Sequence, residues 1–413
     1  MPSMLILGAG LAGGNAAVAL RENGHRGRIV LVGREPAPPY GRPPLSKTYL
    51  RGEGSLDGWT VRPAEWYAAN DVELRTGVSA VHVDTAQRRV QLSDGTSLDY
   101  DALAVCSGGR ARRPRLPGVD LDGVHVLRTV EDADAIRAAA RPGRHAVVVG
   151  MGFIGAEVAA SLRQIGVEVT AVFPGGAPLT TVLGPEVGAV LAGIHADNGV
   201  QLLAGDSVVA FEGGGAVERV VTRSGARIAC DLVVAGAGID PDVEAVAGTP
   251  VSVDNGILVD AQCRTGVAGV YAAGDVANHL HPLFGRVRVE HYNNAEKMGR
   301  AVARSMLGDG SPYGYVHTFW SDQYEHSLEY AGHVREWETL VVRGSLEERR
   351  FLGVYVAGGT VRAAVGLNRG GDPELDEDSE MHACQLLVAR RAQVRTEWLA
   401  DEGVDLRELA AAR

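Results

Sequence analysis

Two stretches of this chain repeat one order of apolar and polar positions. The first reads MLILGAGLAGGNAAVALRENG and runs on into RIVLVGRE; the second reads HAVVVGMGFIGAEVAASLRQIG and runs on into VEVTAVFP. Each predicts a short apolar strand, a turn of the form G-x-G-x-x-G, a helix with apolar residues at helical spacing that ends at a glycine, and a further strand. The stretches RRVQLSDGTSLDYDALAV and VERVVTRSGARIACDLVVAGAG alternate and carry turn residues, which predicts small antiparallel insertions that return to a parallel sheet. GVYAAGDVA predicts another buried strand, ending in Gly274-Asp275. From about Tyr315 the texture changes: TFWSDQYEHSLEYAG, ETLVVRGS and RFLGVYVAGGTVRAAVGL alternate as antiparallel strands do, and MHACQLLVARRA follows as a helix. This predicts a separate C-terminal domain. Within it GGDPELDEDSE, Gly370 to Glu380, reads as an acidic, solvated loop.

The repeated turn carries chemistry. Its glycines are Gly8, Gly10 and Gly13 in the first copy and Gly150, Gly152 and Gly155 in the second. The first of each trio permits the tight turn, the second lets backbone approach a pyrophosphate, and the third lets helix pack on strand. The helix start then offers free N–H groups and partial positive charge to phosphates. Two copies in strand–turn–helix context predict two dinucleotide sites. The fold class that follows is α/β, with two Rossmann-like dinucleotide-binding domains and a C-terminal α+β domain.

Composition narrows the picture. A chain of 413 residues is too long for one ordinary core and suits two or three domains. Its formal net charge of −11 argues against nucleic acid and anionic membrane as partners. No apolar run approaches ~18 residues, so no membrane span is expected. The strand that begins almost at once leaves no room for a leader peptide, and a cytoplasmic protein is expected. Cys106, Cys230, Cys263 and Cys384 form no C-x-x-C pair, so they read as small buried apolar residues, neither a redox dithiol nor a zinc site. His279 and His281, in NHLHPLFG, have no clustered cysteine beside them, and no metal is expected. Lys47 and Lys297 are the only lysines among 40 basic residues, which marks each as a place where an ammonium is needed.

Candidate residues gather around the two turns. Glu35, after the second strand of the first copy, can accept hydrogen bonds from a ribose diol. PPYGRPPLSK, Pro38 to Lys47, is held extended by its prolines, which would fix Arg42 and Lys47 in place. Asp275 follows a buried strand and a glycine, where ligands of α/β sheets sit. Glu157 falls in what reads as the first turn of the second glycine helix. Trp320 could cover an aromatic ring by stacking.

PPYGRPPLSK, the two glycine fingerprints, TGVAGVYAAGD and FWSDQY together resemble the oxygenase-coupled NADH–ferredoxin reductase family. That family includes the putidaredoxin-reductase-like and rubredoxin-reductase-like flavoproteins, with apoptosis-inducing factor a relative. The resemblance implies a glutathione-reductase-like arrangement. An FAD-binding domain would occupy 1–110 and 240–316, an NAD(P)-binding domain 111–239, and the C-terminal domain 317–413. It implies that Gly8, Gly10, Ala12, Gly13, Glu35, Arg42, Lys47, Val78, Ser107, Gly108, Arg110, Gly274 and Asp275 contact FAD. Glu290, His291 and Trp320 would lie near the flavin ring. Gly150, Gly152, Phe153, Ile154, Gly155, Glu157, Gly236 and Gly238 would line the nicotinamide nucleotide site. Lys47 and Glu157 would pair close to flavin N5, and Lys47, Glu157, Trp320 and His291 form the implied catalytic set.

Two departures qualify the resemblance. Reductases of the family that select NADH place a glutamate where Phe173 stands, in VTAVFPGG. No arginine follows to welcome a 2′-phosphate, so NADH remains the expected donor, with weak discrimination against NADPH. Basic and acidic residues are near balance between Ser311 and Arg369, and the one basic run is RARRPR, Arg110 to Arg115. A small [2Fe–2S] ferredoxin is the expected partner, without a basic docking face that announces it. A monomer or homodimer is expected. The activity implied is hydride transfer from nicotinamide to FAD, then single electrons to an iron–sulfur protein serving a P450 or ring-hydroxylating oxygenase. The alternatives are a flavoenzyme acting on a quinone or pathway intermediate, and a nucleotide-switched interaction protein resembling apoptosis-inducing factor.

Overall fold

The computed structural model describes residues 1–411, which fall into two compact units. The first comprises Met1–Arg42, Leu56–Arg110 and Ile239–Tyr315; the second comprises Pro43–Ser55, Ala111–Gly238 and the chain from Val316 onward.

The first unit is built on a five-stranded sheet in the order Val270–Ala272, Ala102–Val105, Met4–Leu7, Ile29–Val32, Val72–Arg75. Every pairing is parallel. Met4–Leu7, Ile29–Val32 and Ala102–Val105 are buried at every residue, as expected of parallel strands covered on both faces. Leu7 sits level with both Val32 and Val105, so the first glycine turn leaves the sheet at its carboxyl edge. Helix Leu11–Glu22 packs closely against helix Tyr292–Met306: a Cβ on Gly299 would lie 2.3 Å from the Ala12 carbonyl oxygen. Ala80–Asp84, Arg89–Leu92 and Ser97–Asp99 form the antiparallel insertion that their alternation predicts.

The second unit repeats the plan. Its parallel sheet runs Val200–Ala204, Glu168–Phe173, His145–Val149, Leu232–Ala235, Val124–His125. A second antiparallel insertion is formed by Val208–Glu212, Arg219–Thr222 and Arg227–Ala229. The same unit holds a five-stranded antiparallel sheet ordered Thr318–Gln323, His326–Gly332, Thr360–Leu367, Arg350–Ala357, Thr339–Ser345, followed by helix Glu380–Ala389.

Helix Thr180–Asp197 joins the two sheets of this unit. Its Leu183, Val187, Leu191 and Ile194 pack with Phe319, Tyr330 and Tyr355 of the antiparallel sheet. The helix kinks at Gly184-Pro185, because proline ends the backbone ladder there. Gly184 takes φ +84°, and a Cβ on it would come within 2.7 Å of the Trp337 ring. At the kink the Tyr355 hydroxyl donates to the Leu183 carbonyl at 2.7 Å, satisfying a polar group deep in the core. No described helix is long and apolar enough to cross a membrane.

Candidate functional site

The two glycine turns have the same stereochemistry. Gly8 and Gly150 take φ of +109° and +92°, the left-handed region that favours glycine. A Cβ on Gly13 would lie 1.9 Å from the Gly8 carbonyl oxygen, and one on Gly155 would lie 2.0 Å from that of Gly150. Any side chain there would prise helix from strand. Gly10 and Gly152, by contrast, face open space, and a Cβ on either would meet nothing within 4 Å. They also cap helices Leu11–Glu22 and Phe153–Ile165, and neither helix start receives a side-chain hydrogen bond. Bare N–H groups, an open approach and the partial positive charge of a helix start form a cradle for phosphate. The residues present therefore fit a dinucleotide in each unit.

Within the first unit Ser107, Gly274 and Asp275 of the implied FAD set come to the first turn. Gly274, at φ +76°, comes so near that its Cβ would stand 2.8 Å from that of Ala12, which brings the turn Gly274–Val276 and buried Asp275 to the helix start. Ser107 donates to the Asp242 carbonyl at 2.6 Å, with Gly108 next to it at φ +66°. Arg110 pairs with Asp242 at 3.0 Å and Glu244 at 2.6 Å. Val78 donates its N–H to the Gly33 carbonyl at 3.0 Å, beside the strand end that leads to Glu35. Glu35 accepts from the Tyr40 hydroxyl and the Arg42 guanidinium, each at 2.5 Å. Burial works against the Arg42 charge, but Glu35 and Tyr40 outweigh it and hold the guanidinium pKa above its usual value. Glu290 pairs with Arg288 at 2.8 Å, and His291 caps helix Tyr292–Met306.

In the second unit Lys47 and Glu157 meet. The Lys47 ammonium lies 2.8 Å from Glu157 Oε2, and both side chains are largely buried. Ser46 donates to the same oxygen at 2.5 Å, and Ser321 donates to Oε1 at 2.8 Å. The Ser161 hydroxyl, one helical turn beyond Glu157, donates to the Ser46 carbonyl at 2.6 Å and fixes the loop that carries Lys47. Both carboxylate oxygens are thus satisfied, which buried ions require. Glu157 is the fifth residue of a helix that starts at Phe153, so it belongs to the second turn, not the first, and its charge answers to these side chains more than to the helix start.

Phe153 packs edge-on against Phe319 at 4.6 Å, while Ile154 stays well exposed at the helix start. Gly236 approaches from the neighbouring strand: a Cβ on Gly150 would lie 2.7 Å from its carbonyl oxygen. Gly238 takes φ +83° just beyond. Trp320 lies on strand Thr318–Gln323 directly across from Glu329, on the sheet face opposite Phe319, Ser321 and Gln323.

Ser46 and Ser321 escaped the sequence reading. The available signal was the alternation of FWSDQ, which puts Ser321 and Gln323 on the buried face behind Phe319.

Glu329 itself is perturbed: burial first, then Asp372 and Asp322, push its carboxyl up to about 8. The folded state therefore holds this proton more tightly than the unfolded chain. Its stabilising contribution is complete below the ordinary carboxylate range and is lost as pH rises to about 8. Glu329→Gln is expected to leave Tm unchanged near pH 5 and to raise it by a few degrees at about pH 9, read by thermal unfolding. An equal Tm change at both values would contradict this.

All four cysteines are free and buried, and burial pushes the thiols of Cys106, Cys230 and Cys384 up to about 12. Burial disfavours the thiolate at each of the four. Among the described residues no group of three or more His, Cys, Asp and Glu is gathered as a metal site would need.

Two dinucleotide cradles and a buried ammonium–carboxylate pair beside the second of them fit a flavin- and nicotinamide-dependent oxidoreductase. The chain belongs to the pyridine nucleotide-disulphide oxidoreductase family, whose model matches residues 2–299, and it carries a reductase C-terminal domain over residues 318–410. It uses FAD and NADH. It is 36% identical to rhodocoxin reductase of Rhodococcus erythropolis, over 100% of this chain and 95% of that one. It is 38% identical to the ferredoxin–NAD(+) reductase component of the anthranilate 1,2-dioxygenase system of Burkholderia cepacia, over 98% of each chain. The structure of a covalent putidaredoxin reductase–putidaredoxin complex matches with a TM-score of 0.94 at 33% identity, covering 99% of this chain and 98% of that one.

Proposed function

We propose that this protein takes hydride from NADH and passes electrons singly to a small [2Fe–2S] ferredoxin that serves an oxygenase. The observation that carries the reading is the Lys47–Glu157 pair, largely buried and 2.8 Å apart, with Glu157 on the helix that follows the second cradle and Lys47 brought to it from the loop before Thr48. A chain that only bound nucleotides would have no use for two ions kept from water at such cost. The acceptor class is supported by relatives over the full length whose names state a ferredoxin or rhodocoxin role.

In this reading Gly8, Gly10, Gly13, Glu35, Arg42 and Asp275 hold FAD, and Gly150, Gly152, Ile154 and Gly155 hold NADH. FAD, when bound, supplies the conversion of a two-electron donor into one-electron deliveries. Helix Leu11–Glu22 steadies one pyrophosphate and helix Phe153–Ile165 the other, through unpaired N–H groups. Lys47 and Glu157 set the electrostatics of the transfer and bear no covalent bond to substrate. Ser46 and Ser321 hold the Glu157 carboxylate in one orientation. Trp320 offers an aromatic face from the antiparallel sheet. The unpaired thiols support a cytoplasmic location. Turnover is tested by mixing the yellow protein with NADH and a panel of [2Fe–2S] ferredoxins: ferredoxin reduction is expected, and activity with quinones alone would overturn the acceptor.

Nucleotide choice follows from Phe173. It is buried at the end of its strand, and Pro174, Gly175 and Gly176 follow, so this turn offers no carboxylate to a 2′-hydroxyl and no repulsion to a 2′-phosphate. A missing charge-assisted bond is worth about 1.5–3 kcal/mol. The preference for NADH over NADPH in kcat/KM is therefore expected to stay below roughly 100-fold. A ratio above about 1,000, in steady-state assays with both donors, would contradict this.

A further inference from the structure

We propose that Gln323, His195 and Tyr324 are positioning residues for the Lys47–Glu157 pair, acting through a hydrogen-bond chain whose donors all point toward Glu157. The inference rests on the role assigned to that pair. Four links run between the surface and the carboxylate. The Tyr324 hydroxyl meets His195 Nδ1 at 3.2 Å, and His195 Nε2 meets Gln323 Oε1 at 3.0 Å. Gln323 Nε2 donates to Ser321 Oγ at 3.2 Å, and Ser321 donates to Glu157 Oε1 at 2.8 Å.

The direction of the chain is dictated from one end. A carboxylate only accepts, so the single proton of Ser321 is committed to Glu157. Ser321 can then only accept from Gln323, which turns the amide nitrogen toward Ser321 and the amide oxygen toward His195. That oxygen accepts, so His195 carries its proton on Nε2, and neutral Nδ1 accepts from Tyr324. Each dipole is aligned toward the negative charge, and chains of this kind polarise one another. They anchor the carboxylate that receives Lys47.

Three further observations set the chain apart from ordinary packing. His195 is 0% exposed, Gln323 2% and Ser321 1%, in a core otherwise apolar on that sheet face. Both ring nitrogens of His195 are matched, and burial pushes its pKa down to about 4, in keeping with a neutral ring. Tyr324 sits in the two-residue loop of the hairpin that pairs Gln323 with His326, at φ +57°, a conformation that disfavours a bulky side chain. Its ring stands edge-on to His195 at 5.6 Å. The strained position delivers a hydroxyl to the outer end of the chain.

The test uses the FAD-loaded protein labelled with nitrogen-15 in its histidines, with the His195 signals assigned by their loss in His195→Gln. A neutral ring protonated on Nε2 is expected. In Glu157→Gln the end group can donate as well as accept, and the His195 signals are expected to move toward the other tautomer. A proton on Nδ1 in the parent protein, or an unchanged ring in Glu157→Gln, would overturn the proposal. In stopped-flow mixing, Gln323→Leu is expected to slow flavin reduction at saturating NADH on the order of tenfold, with the NADH dissociation constant unchanged. His195→Leu breaks the same chain and is expected to slow reduction likewise, whereas His195→Gln keeps a donor and is expected to recover part of that loss. If Glu157→Gln slows reduction and Gln323→Leu does not, the chain is refuted while the pair stands; if neither does, both fall.

Discussion

Gly13→Val is expected to yield a colourless protein that has lost FAD, whereas Gly155→Val is expected to yield a yellow protein that NADH does not reduce. The two positions are equivalent in stereochemistry and different in occupant. At each, a first side-chain carbon would collide with a backbone carbonyl, at 1.9 Å in one turn and 2.0 Å in the other. Overpacking an ordinary core costs about 1–3 kcal/mol, and here the obstacle is backbone that cannot swing aside. Opening the turn also misaligns the N–H groups that face the phosphates, so each affinity is expected to fall by about 100-fold or more. Absorbance at the flavin band after purification reads the first variant; an NADH titration reads the second. If the two phenotypes came out exchanged, the assignment of cofactor to cradle would be reversed.

Glu157→Leu is expected to destabilise the fold by about 3–5 kcal/mol, because it leaves the Lys47 ammonium buried without its partner. Ser46 and Ser321 would lose an acceptor in the same step. The double change Lys47→Met/Glu157→Leu is expected to recover most of that loss, since a buried pair replaced by apolar groups of similar size is near neutral. Chemical denaturation of the parent, both single variants and the double variant gives the coupling directly. Stability and rate should separate: the double variant recovers the first but not the rate of reduction by NADH. Equal stability loss in the double variant and in Glu157→Leu would mean that packing, not charge, is what the pair contributes.

What could be read from the chain followed the range of the forces involved. The glycine turns were legible because their constraint is local: a carbonyl two ångströms away lies only five residues back, at Gly8 for Gly13 and Gly150 for Gly155. The antiparallel C-terminal sheet was legible from alternation. Lys47 stood out because lysine is scarce in this chain. The rest of its surroundings did not stand out. Ser46 and Ser321 reach Glu157 from 111 and 164 positions away; alternation marks the buried face of Ser321 but not the carboxylate that it meets. His195 lies in no motif, and the Gln323 amide that it meets stands 128 positions further along the chain. The stretch PPYGRPPLSK read as one rigid element, yet it passes from one compact unit to the other between Arg42 and Pro43. Its second half is also not the extended path expected of it: Pro43–Ser46 turns as a short 3-10 helix, since proline fixes φ near −65°, a value that such a turn shares with extended backbone.

The most direct measurement of the central claim is an anaerobic titration of the purified protein with NADH, followed by addition of an oxidised [2Fe–2S] ferredoxin. The expected result is stoichiometric bleaching of the flavin band by NADH and its return as two ferredoxins are reduced for each NADH consumed. A flavin that stays oxidised in excess NADH would contradict it.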